Sequence, residues 1–493
     1  MRTILFLLPS GLTIRNLLFT GVAANLLARD EVRVVVVTCA ADVAEQYQQV
    51  DRLIFERFPP GRTGLPARVV HAVLNRRFCK MKETGSGRIL SEGPLSRSWR
   101  DTLVASLLGQ PFPRSKMLYE WIRLLEGPAT RISPQVRELF TRYRPDLVVS
   151  TNPTTMSEYE FLKYARATGV TSVGIVKSWD VLTMRGYIPV PLDYYLVWNA
   201  IMKRDLMRLH DVAEDRLGMT GVPQFDIYAD RSTVRPRDPV LRSLGLDPAK
   251  KTVLFATSSP LINPDDAAIL CHLSDALRGE AVQILARLHP LDAMGRYGDL
   301  TRPNLVFHVP GASLGIIGDR RLLDAGFMAE LRDTLLHCDV IVNTSSTMSL
   351  DAAALDRPVV NIGFDLAPKE YPQSRRRYYD LDHYRPIVES GATRIAWTRD
   401  EFAPLIRRYL DHPELEREQR AGLRDTMCYR VDGRSAQRMA MYLIRALEKQ
   451  RFTSQTVASG EPVAFPAPQQ VPSSFALTPP GIILVRHGAS EGP

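Results

Sequence analysis

Cysteine is scarce in this 493-residue chain: the five residues (Cys39, Cys79, Cys271, Cys338, Cys428) are far apart, with no Cys-x-x-Cys pair and no Cys/His cluster. That spacing argues against a disulfide framework and a zinc module, and a reducing cytosol is the expected compartment. Long apolar runs are missing too. Nowhere do 18 or more apolar residues follow one another, so no spanning helix is expected and any membrane contact would be peripheral. The apolar run at 4–8 is only five residues long and is broken by Pro9-Ser10-Gly11, so it reads as a buried strand rather than a secretory segment. No repeat of solenoid period occurs. The basic clusters around Arg76-Arg77, Lys80 and Lys82, and at Arg375-Arg376-Arg377, have no recognition-helix or RNP-like pattern beside them. They read as solvated faces, and nucleic acid is not an expected partner.

What is present is ordinary globular material: 45% hydrophobic and 24% charged residues, enough for two to three domains. Lys and Arg number 63 against 54 Asp and Glu, a formal +9 that favours phosphate-bearing or anionic-membrane partners. Short apolar runs alternate with helical patterns. Strands are expected over 3–8, 33–38, 146–150, 171–176 and 194–197, with helices over 13–28 and 157–167, an open α/β sheet of parallel strands. Residues 48–126 have mixed polarity and read as helices with mobile loops. A polar stretch carrying Pro236, Pro239 and Pro248 reads as a connector with one short helix. The alternation then restarts, with strands over 252–257, 282–288, 304–308, 340–343 and 359–362, helices over 265–277 and 327–337, and an amphipathic helix over 434–450. Residues 451–480 hold six of the 35 prolines and read as a disordered tail. The expected organisation is a first domain over 1–232, a connector over 233–250, a second domain over 251–450 and a tail over 451–493.

Two open α/β sheets place a cleft between the carboxyl ends of their strands, and ligands are sought there. In the second half one strand ends in Arg287-Leu288-His289-Pro290, which sets a guanidinium and an imidazole at a strand end, both able to hold a phosphate oxygen. The alternative is a surface ion pair and a loop histidine. A second strand runs through Asn343-Thr344 into Ser345-Ser346-Thr347, immediately before Ala-rich helical sequence. Free N–H groups and hydroxyls at a helix start suit a pyrophosphate, although simple N-capping uses the same residues. Asp351, about one turn further, is placed to accept from ribose hydroxyls or to interact with the helix dipole.

The series Arg287-Leu288-His289-Pro290, Asn343-Thr344-Ser345-Ser346-Thr347, Asp351 and Arg357-Pro358-Val359-Val360 resembles the nucleotide-binding half of GT-B glycosyltransferases, and among them CDP-glycerol glycerophosphotransferase-like and capsule polysaccharide transferases. Lys177-Ser178-Trp179-Asp180 and the segment from Asp193 to Asp226 look like elements of the same group. The likeness spans roughly residues 1–450 in outline, its specific motifs about a tenth of that. It implies a GT-B architecture of two Rossmann-like domains, the acceptor side first and the donor side second, a nucleotide-activated donor and no essential metal or cofactor. Transfer needs a stabilised nucleotide leaving group and a base for the acceptor hydroxyl. The first role is assigned to Arg287, His289 and Ser345, Ser346 and Thr347. For the base, Asp180 stands first, with turn-capping as its alternative, and Glu158 second. Arg15 and Asn16 face the same cleft from the first loop, beside Lys177, Ser178 and Trp179. Asn361 and Asp365 leave the strand after Arg357-Pro358, and His383 lies in an aromatic cluster within reach of the donor.

One element stands apart. Ile482-Ile483-Leu484-Val485-Arg486-His487-Gly488 resembles the opening of a histidine phosphatase domain, without the downstream residues that would complete its pocket, and reads as the remnant of a truncated fusion. The expected function is transfer of a sugar or polyol phosphate to a surface-polysaccharide or lipid-linked acceptor, at the cytoplasmic side and in contact with the inner membrane face. The alternatives are a UDP-N-acetylglucosamine 2-epimerase-like isomerase and a non-catalytic nucleotide-sugar-binding protein.

Overall fold

The computed structural model describes residues 1–40, 50–59, 70, 71, 73–75, 78, 82, 84–86, 132–260, 263–311, 313–317, 320–323 and 326–452. The reading of 451–493 as a disordered tail ending in Arg486-His487-Gly488 lies outside these residues except at 451 and 452, and most of 48–126 lies outside them too.

Two parallel sheets organise the chain. The first contains β1 (Arg2–Leu8), β2 (Val32–Thr38), β3 (Leu53–Arg57), β4 (Leu147–Ser150), β5 (Thr171–Ile175), β6 (Tyr194–Val197) and β7 (Leu217–Met219), in the order β3-β2-β1-β4-β5-β6-β7. The second contains β8 (Lys251–Ala256), β9 (Val282–Arg287), β10 (Leu305–His308), β13 (Val340–Asn343), β14 (Val359–Ile362) and β15 (Arg394–Ala396), in the order β10-β9-β8-β13-β14-β15. A separate antiparallel hairpin, β11 (Ser313–Ile317) with β12 (Arg320–Leu323), lies alongside the helix Gly11–Leu17. Each large sheet reverses its strand order once, between β1 and β4 in the first and between β8 and β13 in the second. Such a switch point opens a crevice beyond the strand ends.

The strands read as unbroken apolar runs because helices cover both faces. Along β1, Leu5 and Leu7 enter one core with Phe161 and Leu162, while Ile4, Phe6 and Leu8 enter another on the opposite face. The alternation is the two-residue period of a strand.

That second core contains the largest departure from the sequence reading. The amphipathic helix Ser435–Leu447 follows the second sheet in the chain, yet Met439, Ala440, Leu443 and Leu447 pack on the first sheet with Ile4, Phe6 and Val34. The spacing of those residues gives one apolar stripe, but a stripe does not say which sheet it covers. The Asp226 carboxylate accepts from the N–H groups of Ser435 (2.9 Å) and Ala436 (2.8 Å) and so holds the first turn, and Arg2 Nη1 donates to the Leu447 carbonyl at the other end. Gly218 lets the helix approach: a Cβ there would meet a Tyr442 ring carbon at 3.0 Å.

The helix expected over 13–28 is two helices, Gly11–Leu17 and Val22–Leu27, divided at Gly21 with φ 81°. Strands β7 and β15 have three residues each, too few to show a period, and β3 lies in the stretch read as helical.

Candidate functional site

The second sheet ends several strands at one edge. Arg287 pairs with Ala256 and with His308, and Val342 pairs with Phe255, so the chain leaves β8, β9, β10 and β13 side by side. Thr257, just past β8, organises the loop that leaves β9. Its N–H donates to the Arg287 carbonyl (3.0 Å), its Oγ1 accepts from the His289 N–H (2.9 Å) and donates to Asp292 (2.9 Å). Asp292 also accepts from Tyr297 and Arg296, both at 2.7 Å; burial opposes its charge, and these hydrogen bonds outweigh it and hold the carboxyl below the usual range. His289 Nδ1 accepts from the Leu291 N–H (3.0 Å), so the neutral ring carries its proton on Nε2. Nearby, the buried Asp266 accepts from the Ser258 N–H (2.7 Å), and burial pushes it up to about 7.

At the end of β13, Ser345 takes φ 41°, the left-handed region, and its hydroxyl donates to the Tyr378 carbonyl (3.3 Å). Ser346 donates its N–H to Asn343 Oδ1 (3.1 Å), while its hydroxyl accepts from the Met348 N–H (3.2 Å), the first N–H of the helix Met348–Ala354, whose N-cap is Thr347. Thr347 is exposed at the tip. Beneath the turn, Asn361 donates to Asn343 Oδ1 (2.9 Å), and Ser349 meets Tyr384 (3.0 Å). Asn361 is wholly buried. It braces the turn rather than lining the cleft, because β14 pairs Asn361 directly with Asn343.

Arg287 differs from the sequence reading in the same way. It is 3% exposed, and its Nη1 is taken by Glu330 (2.7 Å) and His308 (3.1 Å). Burial and the Arg287 charge push His308 down to about 4, so that imidazole is neutral. Arg287 Nη2 has no hydrogen-bond partner, and neither does the buried Thr344 Oγ1 at the end of β13. Phe327 lies under two guanidiniums, Arg287 at 5.3 Å and Arg15 of the first half at 5.6 Å. Between them Asp351 accepts from the Tyr228 hydroxyl at 2.6 Å; burial pushes the carboxyl up to about 6 against that hydrogen bond and the charges of Arg15 and Arg287. Asp351 therefore ties the helix Met348–Ala354 to the short helix Asp226–Ala229, a contact between residues 123 apart in the chain.

A second contact across the cleft involves His383. Its ring stands edge-on to Trp179 at 5.0 Å, and Nδ1 lies 3.3 Å from Thr183 Oγ1. Burial lowers its pKa, against the opposing charges of Asp180 and Asp382. Asp180 begins the short helix Val181–Met184 without using its side chain as a cap. Asp382 accepts from the Ser86 N–H (2.7 Å), which anchors this loop to the first half as well.

At the switch point of the first sheet a pocket is lined by Thr13, Asn16, Thr151, Lys177, Trp198 and Gln224, among others. Ser178 sits half-buried beside it. Glu158 is 0% exposed behind Thr151, whose N–H (3.0 Å) and hydroxyl (3.2 Å) it accepts; burial pushes it up to about 7, opposed by the hydroxyl of Ser150 and the charge of Lys177. Asp365 shares Arg375 and Lys369 with Asp265, beside Asp266. It is held by Ser374 (2.6 Å), Arg375 and Lys369.

Sequence reasoning missed Tyr228, Phe327, Thr183 and Gln224. Gln224 lies inside the quoted segment that ends at Asp226 and Tyr228 two residues past it, and that segment was the nearest signal. Among the described residues no group of three or more His, Cys, Asp or Glu is arranged to hold a metal ion, and no helix is long and apolar enough to cross a membrane.

The chain is 29% identical over 241 residues to lipid-A-disaccharide synthase of Geobacter sulfurreducens, a stretch covering 45% of this chain and 56% of that protein. The chain thus spans little more than half the length of that curated relative. Its fold is similar to that of a putative UDP-N-acetylglucosamine 2-epimerase from Listeria monocytogenes, with TM-score 0.53, 12% identity and 91% and 97% of the two chains covered. It is also similar to a glycosyltransferase from Rickettsia africae, with TM-score 0.50, 9% identity and 91% and 99% covered. At such identities the likeness shows the fold alone, the two-sheet GT-B arrangement. The model of the CDP-Glycerol:Poly(glycerophosphate) glycerophosphotransferase family matches residues 183–445, more than half of the chain, and the chain belongs to that family.

Proposed function

We propose that the chain transfers a sugar or polyol phosphate from a nucleotide-activated donor to a hydroxyl acceptor, the donor on the edge of the second sheet and the acceptor on that of the first. The observation that carries this reading is the pair of buried, unpartnered polar atoms, Arg287 Nη2 and Thr344 Oγ1, at the edge where β9 and β13 end together. Native interiors rarely leave such atoms unpaired, and a phosphate oxygen suits Nη2. His289 Nε2–H and the Thr347 hydroxyl complete the donor side, on the turn that Ser345 holds through its bond to the Tyr378 carbonyl. The acceptor oxygen forms a bond to the transferred centre, the bond from that centre to the nucleotide phosphate breaks, the nucleotide departs with the electron pair, and the acceptor proton passes to Asp180. His383 and Trp179 set the distance between the halves. Charge stabilisation comes from these side chains without a metal or cofactor, so chelator should leave the rate unchanged.

The test is thermal unfolding of the full chain with CMP, CDP, UDP and GDP in turn, followed by nucleotide release from the matching activated donor with and without acceptor. A ligand that binds only the folded state at a hundred times its dissociation constant adds about 2.7 kcal/mol. A shift with one nucleotide, lost in His289→Ala, and release that depends on acceptor support transfer. Isomerisation of the donor without acceptor would replace transfer by epimerase chemistry. The formal +9 charge supports docking on an anionic inner membrane face, and binding to anionic vesicles that ignores added salt would remove that part.

A further inference from the structure

Two guanidiniums from opposite halves meet on one ring. Phe327 opens the helix Phe327–His337 of the second half and is buried, with Arg287 of β9 at 5.3 Å and Arg15 of the helix Gly11–Leu17 at 5.6 Å from its centre. The ring attracts each cation, but the cations repel one another, and together they call for an anion. The nearest carboxylates are engaged elsewhere. Glu330 accepts from Arg287 Nη1 (2.7 Å) and the Gly311 N–H (3.3 Å) and lies 3.4 Å from His308, and Asp351 accepts from the Tyr228 hydroxyl (2.6 Å). Among the described residues the one hydrogen bond of Arg15 runs from Nε to Asn16 Oδ1 (3.1 Å), which leaves both terminal nitrogens without a partner there. Asn16 is buried, so this bond fixes the plane of the guanidinium. Burial works against the Arg15 charge, and Asp351 offsets that only in part. Arg287 Nη2, facing it from the second half, is buried and unpartnered as well. The second half also meets the helix that carries Arg15, because β12 lies alongside it.

We propose that Arg15 is a donor-side residue supplied by the opposite half: a phosphate group of the nucleotide donor lies between Arg15 and Arg287 Nη2 and holds the two halves together around Phe327. A guanidinium presents paired N–H donors that match phosphate oxygens, and two of them from different halves share one anion only where the cleft is closed around it. The phosphate is then the counterion that Glu330 and Asp351 do not supply. Arg15 in this role serves the leaving group rather than the acceptor, although it belongs to the first sheet. The assignment rests on the donor reading above and adds to that site a residue from across the cleft.

Titration calorimetry of the full chain with CDP, UDP and GDP, followed by hydrogen exchange with whichever binds, tests it. Arg15→Met keeps a contact on the Phe327 ring without the charge. It is expected to weaken the nucleotide about tenfold or more, with partial recovery in Arg15→Lys. In the parent the nucleotide slows exchange both in Gly11–Leu17 of the first half and in Met348–Ala354 of the second. Arg15→Met loses the first protection and keeps the second, a pattern that a merely structural role would not produce. Phe327→Leu, which keeps apolar bulk but removes the ring face, is expected to weaken the nucleotide about threefold and serves if Arg15→Met does not fold. Unchanged affinity in the variants that fold, or protection confined to the second half, overturns the assignment. Nucleotide binding that is lost in His289→Ala but indifferent to Arg15, with release still dependent on acceptor, overturns the assignment and leaves the transferase reading standing. Binding and two-half protection that depend on Arg15, without acceptor-dependent release, support the assignment and overturn the transferase reading. Binding of no nucleotide by the parent overturns both.

Discussion

The two sheets share one strand order, extended by β7 in the first, and each has a single switch point, yet their crevices hold different chemistry. Between β1 and β4 the crevice is small and carries Lys177, Asn16 and Gln224. Between β8 and β13 it carries a turn of hydroxyls and His289, over an arginine already paired with Glu330. Topology fixes where a ligand sits, and the few residues after each strand decide which ligand. The same duplication explains why an epimerase and a glycosyltransferase share this fold, and why fold alone does not choose between them.

The comparison can be broken one half at a time. The largest effect is expected from Asp180→Asn on the first edge: loss of a general base should lower kcat about 10²–10⁴-fold with nucleotide affinity intact, and single-turnover kinetics with a fixed donor would show it. A smaller loss, or a matching loss of nucleotide affinity, would return Asp180 to a turn role. On the second edge, Arg287→Ala leaves Glu330 without its cation, and roughly 3 kcal/mol of stability should go. Urea unfolding measures it, and a variant as stable as the parent would mean that the pair contributes little.

Asp226→Ala acts on the element that joins the halves. It removes the acceptor for two N–H groups at the start of Ser435–Leu447, and about 1–2 kcal/mol is expected. Hydrogen exchange should rise in that helix before it rises in the second sheet. The smallest effect concerns pH. Glu158 has its folded pKa raised to about 7, above that of the unfolded chain, so between about 4.3 and 7 the folded state binds more protons and stability falls as pH rises. Glu158→Gln should flatten that slope between pH 5 and 7.5; an unaltered slope would assign it to Asp266 and Asp351, which are raised in the same sense.

Much of the fold was legible because parallel strands covered on both faces are continuous runs of Val, Ile and Leu. The ends at Ser150 and Asn343 followed from where those runs stop, and the expected end at Leu288 lies one residue past the observed one at Arg287. The hydroxyl turn was legible for the same reason, since polar residues directly after such a run have one place to be. Contacts between halves were not. Tyr228 on Asp351 and His383 on Trp179 join residues with no shared period, and only the packed chain brings them together. Asn361 looked like a ligand residue because it ends a strand, but its neighbour across the ladder is another asparagine, whose Oδ1 takes the Asn361 amide N–H. Glu330, forty-three residues after Arg287, takes up its Nη1 alone and leaves Nη2 unpartnered, a division that no local pattern shows.

The return of Ser435–Leu447 to the first sheet makes the first domain discontinuous: the second is an insertion, entered near Asp226 and left near Tyr429. Residues 1–232 expressed alone would leave the apolar face of Ile4, Phe6 and Val34 partly bare, so the halves are not separable by a single cut. Any swing of one half against the other turns about two chain crossings at once, and the contacts of Asp226 with the returning helix hold those crossings side by side.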